Sequence, residues 1–435
     1  MISSESPAAV VKDLQKSFGP VEAPERMILL DVLRGFAILG ILFANNNLPA
    51  YTEFLIPHKV DRIVADIIEI LVRAKFWPLF AILFGIGFAI QLERAISKQK
   101  NIILPYLRRL SALALTGAIL QFIIEVPQLL HLAIAGVLML LIGYALCNKS
   151  RSKLLCTIAL LFTIIVIVKE IYSLDRIRST EKRPVPTEQQ AITAVEQWRT
   201  RAEMQASGNE GWNLGRLGSR AKWTLDSYKS LPGDIVLARG QHLELLLFML
   251  IGIFIWRAGI LQDIQRWRSL LILILAVCLP TGLGAAAIST MIGHKTTIIS
   301  INQGIFPSHF SVLIQSPMLL IGSLGMALSY ISGISLLMQY RIRIPLQYCF
   351  APVGRMALTN YILQALLPVI VFGYYTPALF QRLYMPGYKL VILLIIIFGT
   401  QIWFSKIWLG RYRFGPLEWI LRSVTYWKRQ PMRNR

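Results

Sequence analysis

The chain has 435 residues, 55% of them hydrophobic, a formal net charge of +22 and a mean hydropathy of +0.56. Hydrophobicity at that level excludes an ordinary soluble protein and points to a multi-pass membrane protein, an all-α polytopic bundle. The basic residues lie mostly in short segments between apolar runs and in the tail, where membrane topology and anionic lipid headgroups account for them, so nucleic acid is excluded as a partner. Cys147, Cys156, Cys278 and Cys349 lack pairing or metal-type spacing, and no metal is expected.

Residues 1–26 place Val10, Val11, Leu14 and Phe18 at helical spacing with Lys12 and Lys16 between them, as in a cytoplasmic segment lying on the membrane surface. The first apolar run, residues 27–47, carries Asp31, Arg34 and Asn45. Asp31 and Arg34 are i and i+3. Arg34 and Asn45 are three turns apart, about 16 Å of rise, so the three form one polar stripe. Charges inside a spanning helix normally turn toward a cavity or a partner. The alternative is an ion pair at the membrane surface with asparagines capping the far end.

The second span is expected over 66–91, where Ala81, Gly85 and Ala89 repeat at i+4 as a ridge for close helix approach and Pro78 bends the helix. Arg73 and Lys75 stand just before its apolar stretch, near the non-cytoplasmic surface, where short loops usually carry few basic residues. Spans three and four, 103–124 and 128–147, flank a tight turn holding Glu125 and Pro127, with His131 one turn beyond. Span five covers 153–172 and completes a first membrane half, 27–172.

Residues 173–240 form an extracytoplasmic insertion read as a helical cap, with Thr187 and Gln190 at capping-box spacing. Five more spans are expected at 241–260, 269–291, 309–338, 350–376 and 388–408, giving ten. The excess of Lys and Arg in alternate loops places both termini in the cytoplasm. Gln241, His242 and Glu244 open the sixth span and His309 opens the eighth, all on the outer side. His242 and Glu244, at i and i+2, do not share a helical face. His309 is a proton-transfer candidate or a plain interfacial histidine. Arg355, Asn360 and Gln364 lie along the ninth span, for substrate contact or for hydrogen bonding between helices. The basic tail, 409–435, reads as an interfacial helix in which Glu418 and Arg422 are an i to i+4 pair.

Four blocks, LDVLRGFAILGILFAN (30–45), LFGIGFAIQLERA (83–95), GRMALTNYILQ (354–364) and RFGPLEWILRSVTY (413–426), resemble the YeiB-like family of bacterial inner-membrane proteins. The resemblance implies the bacterial cytoplasmic (inner) membrane and a polytopic architecture. The block around Arg34 is more distantly similar to the transmembrane acyltransferase superfamily, which moves acyl groups, often acetyl from a cytosolic thioester, onto sugars or lipids. Its best-known branch has a catalytic histidine eleven residues after the arginine. Here that position is Asn45, which cannot carry a proton but can orient a hydroxyl or stabilise an oxyanion. Where the YeiB-like pattern usually has a Gly-Asp pair, Val126 and Pro127 stand.

These readings give an acyltransferase-like protein. Acyl-coenzyme A is its expected donor and a small molecule, lipid or sugar its acceptor. His309, His131 and Asn45 are the catalytic candidates; Asp31, Arg34, Arg73, Asn360, Gln364 and Arg355 are the donor- or substrate-binding candidates. The alternative is a transporter or exporter of a small polar or anionic molecule that uses the same stripe.

Overall fold

The computed structural model describes residues 27–45, 59–124, 128–147, 150–181, 241–303, 309–372 and 387–433. The expected N-terminal surface helix, Glu125 to Pro127 and cap residues 182–240 lie outside them. In chain order the helices are α1 (Ile28–Asn45), α2 (Lys59–Leu71), α3 (Phe76–Ser97), α4 (Ile103–Ile124), α5 (Gln128–Cys147), α6 (Arg151–Glu181) and α7 (Gln241–Ala258). They continue with α8 (Arg268–Gln303), α9 (His309–Leu337), α10 (Arg343–Arg355), α11 (Ala357–Phe372), α12 (Gly387–Arg411) and α13 (Pro416–Tyr426). The architecture is an all-α bundle, with no strand among the described residues.

Six helices among the described residues are long and apolar enough to cross a membrane: the spans are Ile28–Asn45, Ile103–Gln121, Arg151–Ile171, Arg268–Ile292, Ile314–Leu337 and Val391–Arg411. The chain is a membrane protein by this measure. The other four expected spans correspond to α3, α5, α7 and the α10–α11 pair. Of these, α3 and α7 pack along each other and are walled by protein, which is why their apolar residues are largely buried.

Two expected spans are each divided. The run 66–91 contains the end of α2, a turn at 72–75 and most of α3; Pro78 sits in the first turn of α3, where its missing N–H costs nothing. The turn carries Ala74 at φ 61, a left-handed conformation unusual for alanine. The run 350–376 breaks at Met356, between α10 and α11. Two further helices exceed their expected spans: α6 continues to Glu181 and α8 to Gln303.

Small residues set two close helix crossings. Gly354 of α10 lies against the Asp31 carbonyl and Gly35 of α1, while Gly35 faces the Phe350 carbonyl. On the α3 ridge read from the sequence, Gly85 faces the Met249 carbonyl of α7, and Gly252 of α7 reciprocates against the Ile82 carbonyl. Lipid offers no hydrophobic drive for helices to associate, so such backbone approach is the main source of packing energy there. An aromatic group of Phe36, Phe76, Tyr330 and Phe350 joins α1, α3, α9 and α10, with Phe36 5.2–5.8 Å from the other three rings.

Candidate functional site

Asp31 and Arg34 form the ion pair their spacing predicts, Nη1 to Oδ1 at 3.2 Å. Asp31 is buried, while the Arg34 side chain keeps 31% exposure. Its guanidinium passes beside Gly87, where the missing side chain leaves room. Asn45 closes α1 and is exposed. Asn46 and Asn47 lie outside the described residues.

His131 on α5 meets His242 on α7, with Nδ1 to Nε2 at 2.9 Å and ring centroids 4.9 Å apart. One nitrogen donates and the other accepts, so a neutral pair shares one proton and can accept a second. His242 is 2% exposed and its Nδ1 has no hydrogen-bond partner among the described residues. Beside the pair, Glu244 of α7 is salt-bridged to Lys169 of α6. The local sequence makes this possible, since His242 and Glu244 point to different sides of α7 and so reach different neighbouring helices.

A line of side chains connects this pair to α1. Gln128, one turn before His131, accepts from the Tyr361 hydroxyl at 3.5 Å. Tyr361 packs edge-on against Trp77 at 6.2 Å. One turn beyond Tyr361, Gln364 donates to the Ile38 carbonyl at 3.3 Å and to Gln401 Oε1 at 2.9 Å. Ile38 is one turn from Arg34. The histidines and the stripe therefore belong to one packed unit.

The break in the ninth expected span has its own polar support. Asn360, fully buried, donates to the Val353 carbonyl at 3.3 Å and to Ser405 Oγ at 3.0 Å, bridging the break to α12. Gln401 donates to the Asn360 carbonyl at 3.2 Å. Arg355 ends α10 with its guanidinium at 3.5 Å from the Arg413 carbonyl. Glu418, one turn before Arg422, reaches the start of α11. There its Oε1 accepts the Thr359 backbone N–H at 3.0 Å and its Oε2 lies 2.6 Å from the Thr359 hydroxyl. Orphan N–H groups at a helix N-terminus attract such a carboxylate, and the proline-led turn of α13 delivers it. Burial nevertheless pushes Glu418 above the usual carboxylate range, with the Thr359 hydrogen bonds opposing the shift.

The remaining candidates stand apart. Arg73 pairs with Glu69 at 3.0 Å on an exposed surface. Its neighbour Lys75 is 2% exposed and donates to the Glu69 carbonyl at 2.9 Å. His309 begins α9, and its side chain lies outside the described residues. Sequence reasoning gave no role to Lys169, although a lysine within an apolar run was a visible signal. The His242 partnership had no local signal, because its partner is 111 positions away.

Residues 255–428 match the family model described as "Protein of unknown function (DUF418)". The chain is 28% identical over 431 residues to "Uncharacterized protein YxaH" of Bacillus subtilis (strain 168), covering 96% of this chain and 98% of that one. It is 26% identical over 416 residues to "Uncharacterized 39.9 kDa protein in amylase 3'region" of Bacillus acidopullulyticus, with coverages of 95% and 97%. To "Uncharacterized protein YeiB" of Escherichia coli (strain K12) it is 26% identical over 421 residues, with coverages of 92% and 96%. No solved structure matches. The chain thus contains a region similar to DUF418 in its C-terminal half and resembles YxaH and YeiB over nearly its full length.

Proposed function

We propose that this protein is an acyltransferase-like enzyme of the bacterial cytoplasmic membrane that moves an acyl group from acyl-coenzyme A onto a small, lipid or sugar hydroxyl. The observation that carries the reading is the His131–His242 pair, a proton-accepting group linked through Gln128, Tyr361 and Gln364 to the helix that bears Arg34. Arg34 would hold the anionic donor through its partly exposed guanidinium, with Asp31 fixing its position. The donor supplies an activated thioester. The histidine pair takes the proton of the acceptor hydroxyl as its oxygen bonds to the acyl carbon, the C–S bond breaks, and the proton passes to the departing thiolate. Asn45 would orient the acceptor by hydrogen bonding.

The test is release of free thiol from acetyl-coenzyme A by purified protein in proteoliposomes supplied with a bacterial lipid and glycan extract. Turnover that falls at least about a hundredfold in His131→Ala supports the reading, this being the low end of a general-base contribution. Unchanged turnover in both His131→Ala and Arg34→Ala contradicts it.

A second reading rests on the break at Met356. Discontinuous helices packed inside a bundle are a feature of transporters, and this one lies against the charged turn of α1 through Gly354 and Gly35. On that reading, unmodified substrate accumulates on one side of the membrane when the protein is lost.

A further inference from the structure

Four buried side chains join α11 to α12 just after the break at Met356: Asn360 and Gln364 on one face of α11, Gln401 and Ser405 one turn apart on α12. The amide N–H groups on α11 are taken by protein oxygens. Asn360 Nδ2 donates to the Val353 carbonyl at 3.3 Å and to Ser405 Oγ at 3.0 Å; Gln364 Nε2 donates to the Ile38 carbonyl at 3.3 Å and to Gln401 Oε1 at 2.9 Å. Backbone carbonyls only accept, so they fix which end of each amide is oxygen. Those two oxygens, Asn360 Oδ1 and Gln364 Oε1, are buried one turn apart and have no hydrogen-bond partner among the described residues. Ser405 Oγ accepts from Asn360 and keeps a second lone pair. The network therefore holds acceptor oxygens in excess of donors, which is costly in a buried place until a donor or a cation meets them. The surrounding charge favours a cation. Asn360 reaches the last turn of α10, and a helix C-terminus carries partial negative charge, whereas the positive start of α11 is capped by Glu418 at Thr359. Arg355, the basic residue of that last turn, is directed to the Arg413 carbonyl. Among the described residues no carboxylate is hydrogen-bonded to the four side chains, which suits a single positive charge and not a divalent ion.

We propose that Asn360 Oδ1, Gln364 Oε1 and Ser405 Oγ bind a small monovalent cation, sodium or potassium, where α10 gives way to α11. Hard cations take neutral oxygen ligands, and a broken helix inside a membrane bundle is a place where such ions are held. Bound there, the ion fixes α11 against α12. Through Gln364 and the Ile38 carbonyl the site is joined to α1, one turn from Arg34. The inference depends on neither acyl transfer nor transport.

The experiment uses detergent-purified full-length protein, exchanged into choline chloride. Thermal unfolding is followed in sodium, potassium or choline chloride at equal ionic strength, and equilibrium binding is measured with radioactive sodium or rubidium, the latter standing in for potassium. A saturable rise in unfolding temperature with sodium or potassium over choline is expected, together with saturable binding of the matching tracer. A larger response to sodium assigns the ion as sodium, and a larger response to potassium assigns it as potassium. Gln364→Met and Ser405→Ala should each weaken binding by about tenfold or more, with the exposed control Arg266→Gln unchanged. If Gln364→Met fails to fold, Ser405→Ala and tracer binding by the wild type carry the test. Identical unfolding in the three salts without saturable tracer binding, or binding by the folded variants equal to the control, overturns the proposal and leaves a buried water as the donor to both oxygens.

Discussion

Glu418 in the C-terminal tail caps α11 through Thr359, taking the backbone N–H at 3.0 Å on one oxygen and meeting the side-chain hydroxyl at 2.6 Å on the other. The tail is thus bound to the start of the second half of the broken helix. Glu418→Ala leaves the buried Thr359 groups unpaired and should cost about 1–3 kcal/mol, read as a lower unfolding temperature in detergent. Glu418→Gln keeps one acceptor and should cost less.

The same contact sets a pH dependence. Because burial raises the folded pKa of Glu418 above its ordinary value of 4.5, the folded state retains a proton that the unfolded chain has released. Its contribution is full below pH 4.5 and falls as pH rises through the folded value. Unfolding temperature should therefore decline over that window in the wild type, and Glu418→Gln should flatten the decline. An identical pH profile in both proteins contradicts the assignment.

Gly354 has no room for a methyl group, because a Cβ there would overlap the Asp31 carbonyl and the Gly35 nitrogen. Gly354→Ala should push α10 from α1 and cost about 1–3 kcal/mol or more as overpacking. Gly399 on α12 has no atom near the same position, so Gly399→Ala should be neutral or stabilise by up to about 1 kcal/mol through helix propensity. Comparing the two by thermal unfolding separates a packing effect from a general intolerance of glycine replacement.

The Lys169–Glu244 pair should show the asymmetry of ions held inside a bundle. Lys169→Met alone leaves Glu244 without its counter-ion. The expected loss is on the order of 1–3 kcal/mol, below the ~3–5 of a fully buried pair because the side chains retain 17% and 21% exposure. Lys169→Met with Glu244→Met should recover most of it. A double variant as unstable as the sum of the single ones would show that the two residues act independently.

The features legible in the sequence were those carried by local spacing. Asp31 and Arg34 stood out because charges interrupt an apolar run, and their i to i+3 separation predicted the ion pair. The Ala81, Gly85, Ala89 ridge was visible as a repeat and does pack closely. The break at Met356 was hidden because hydropathy runs on through 350–376; Pro352 and Gly354 marked it only weakly. The Glu418 contact with α11 left no local signal, because Thr359 is 59 positions away. The histidine pair was out of reach for the same reason. Chemistry assembled across helices leaves no periodic trace in either one.

The most direct measurement is a mass-spectrometric comparison of lipids, surface glycans and excreted metabolites from cells lacking the protein, complemented with wild type, His131→Ala or Arg34→Ala. The account predicts that an acylated species disappears and its unacylated precursor accumulates, restored by wild type and by neither variant. An unmodified compound retained inside the cell, with every acylated species intact, would contradict acyl transfer and favour transport.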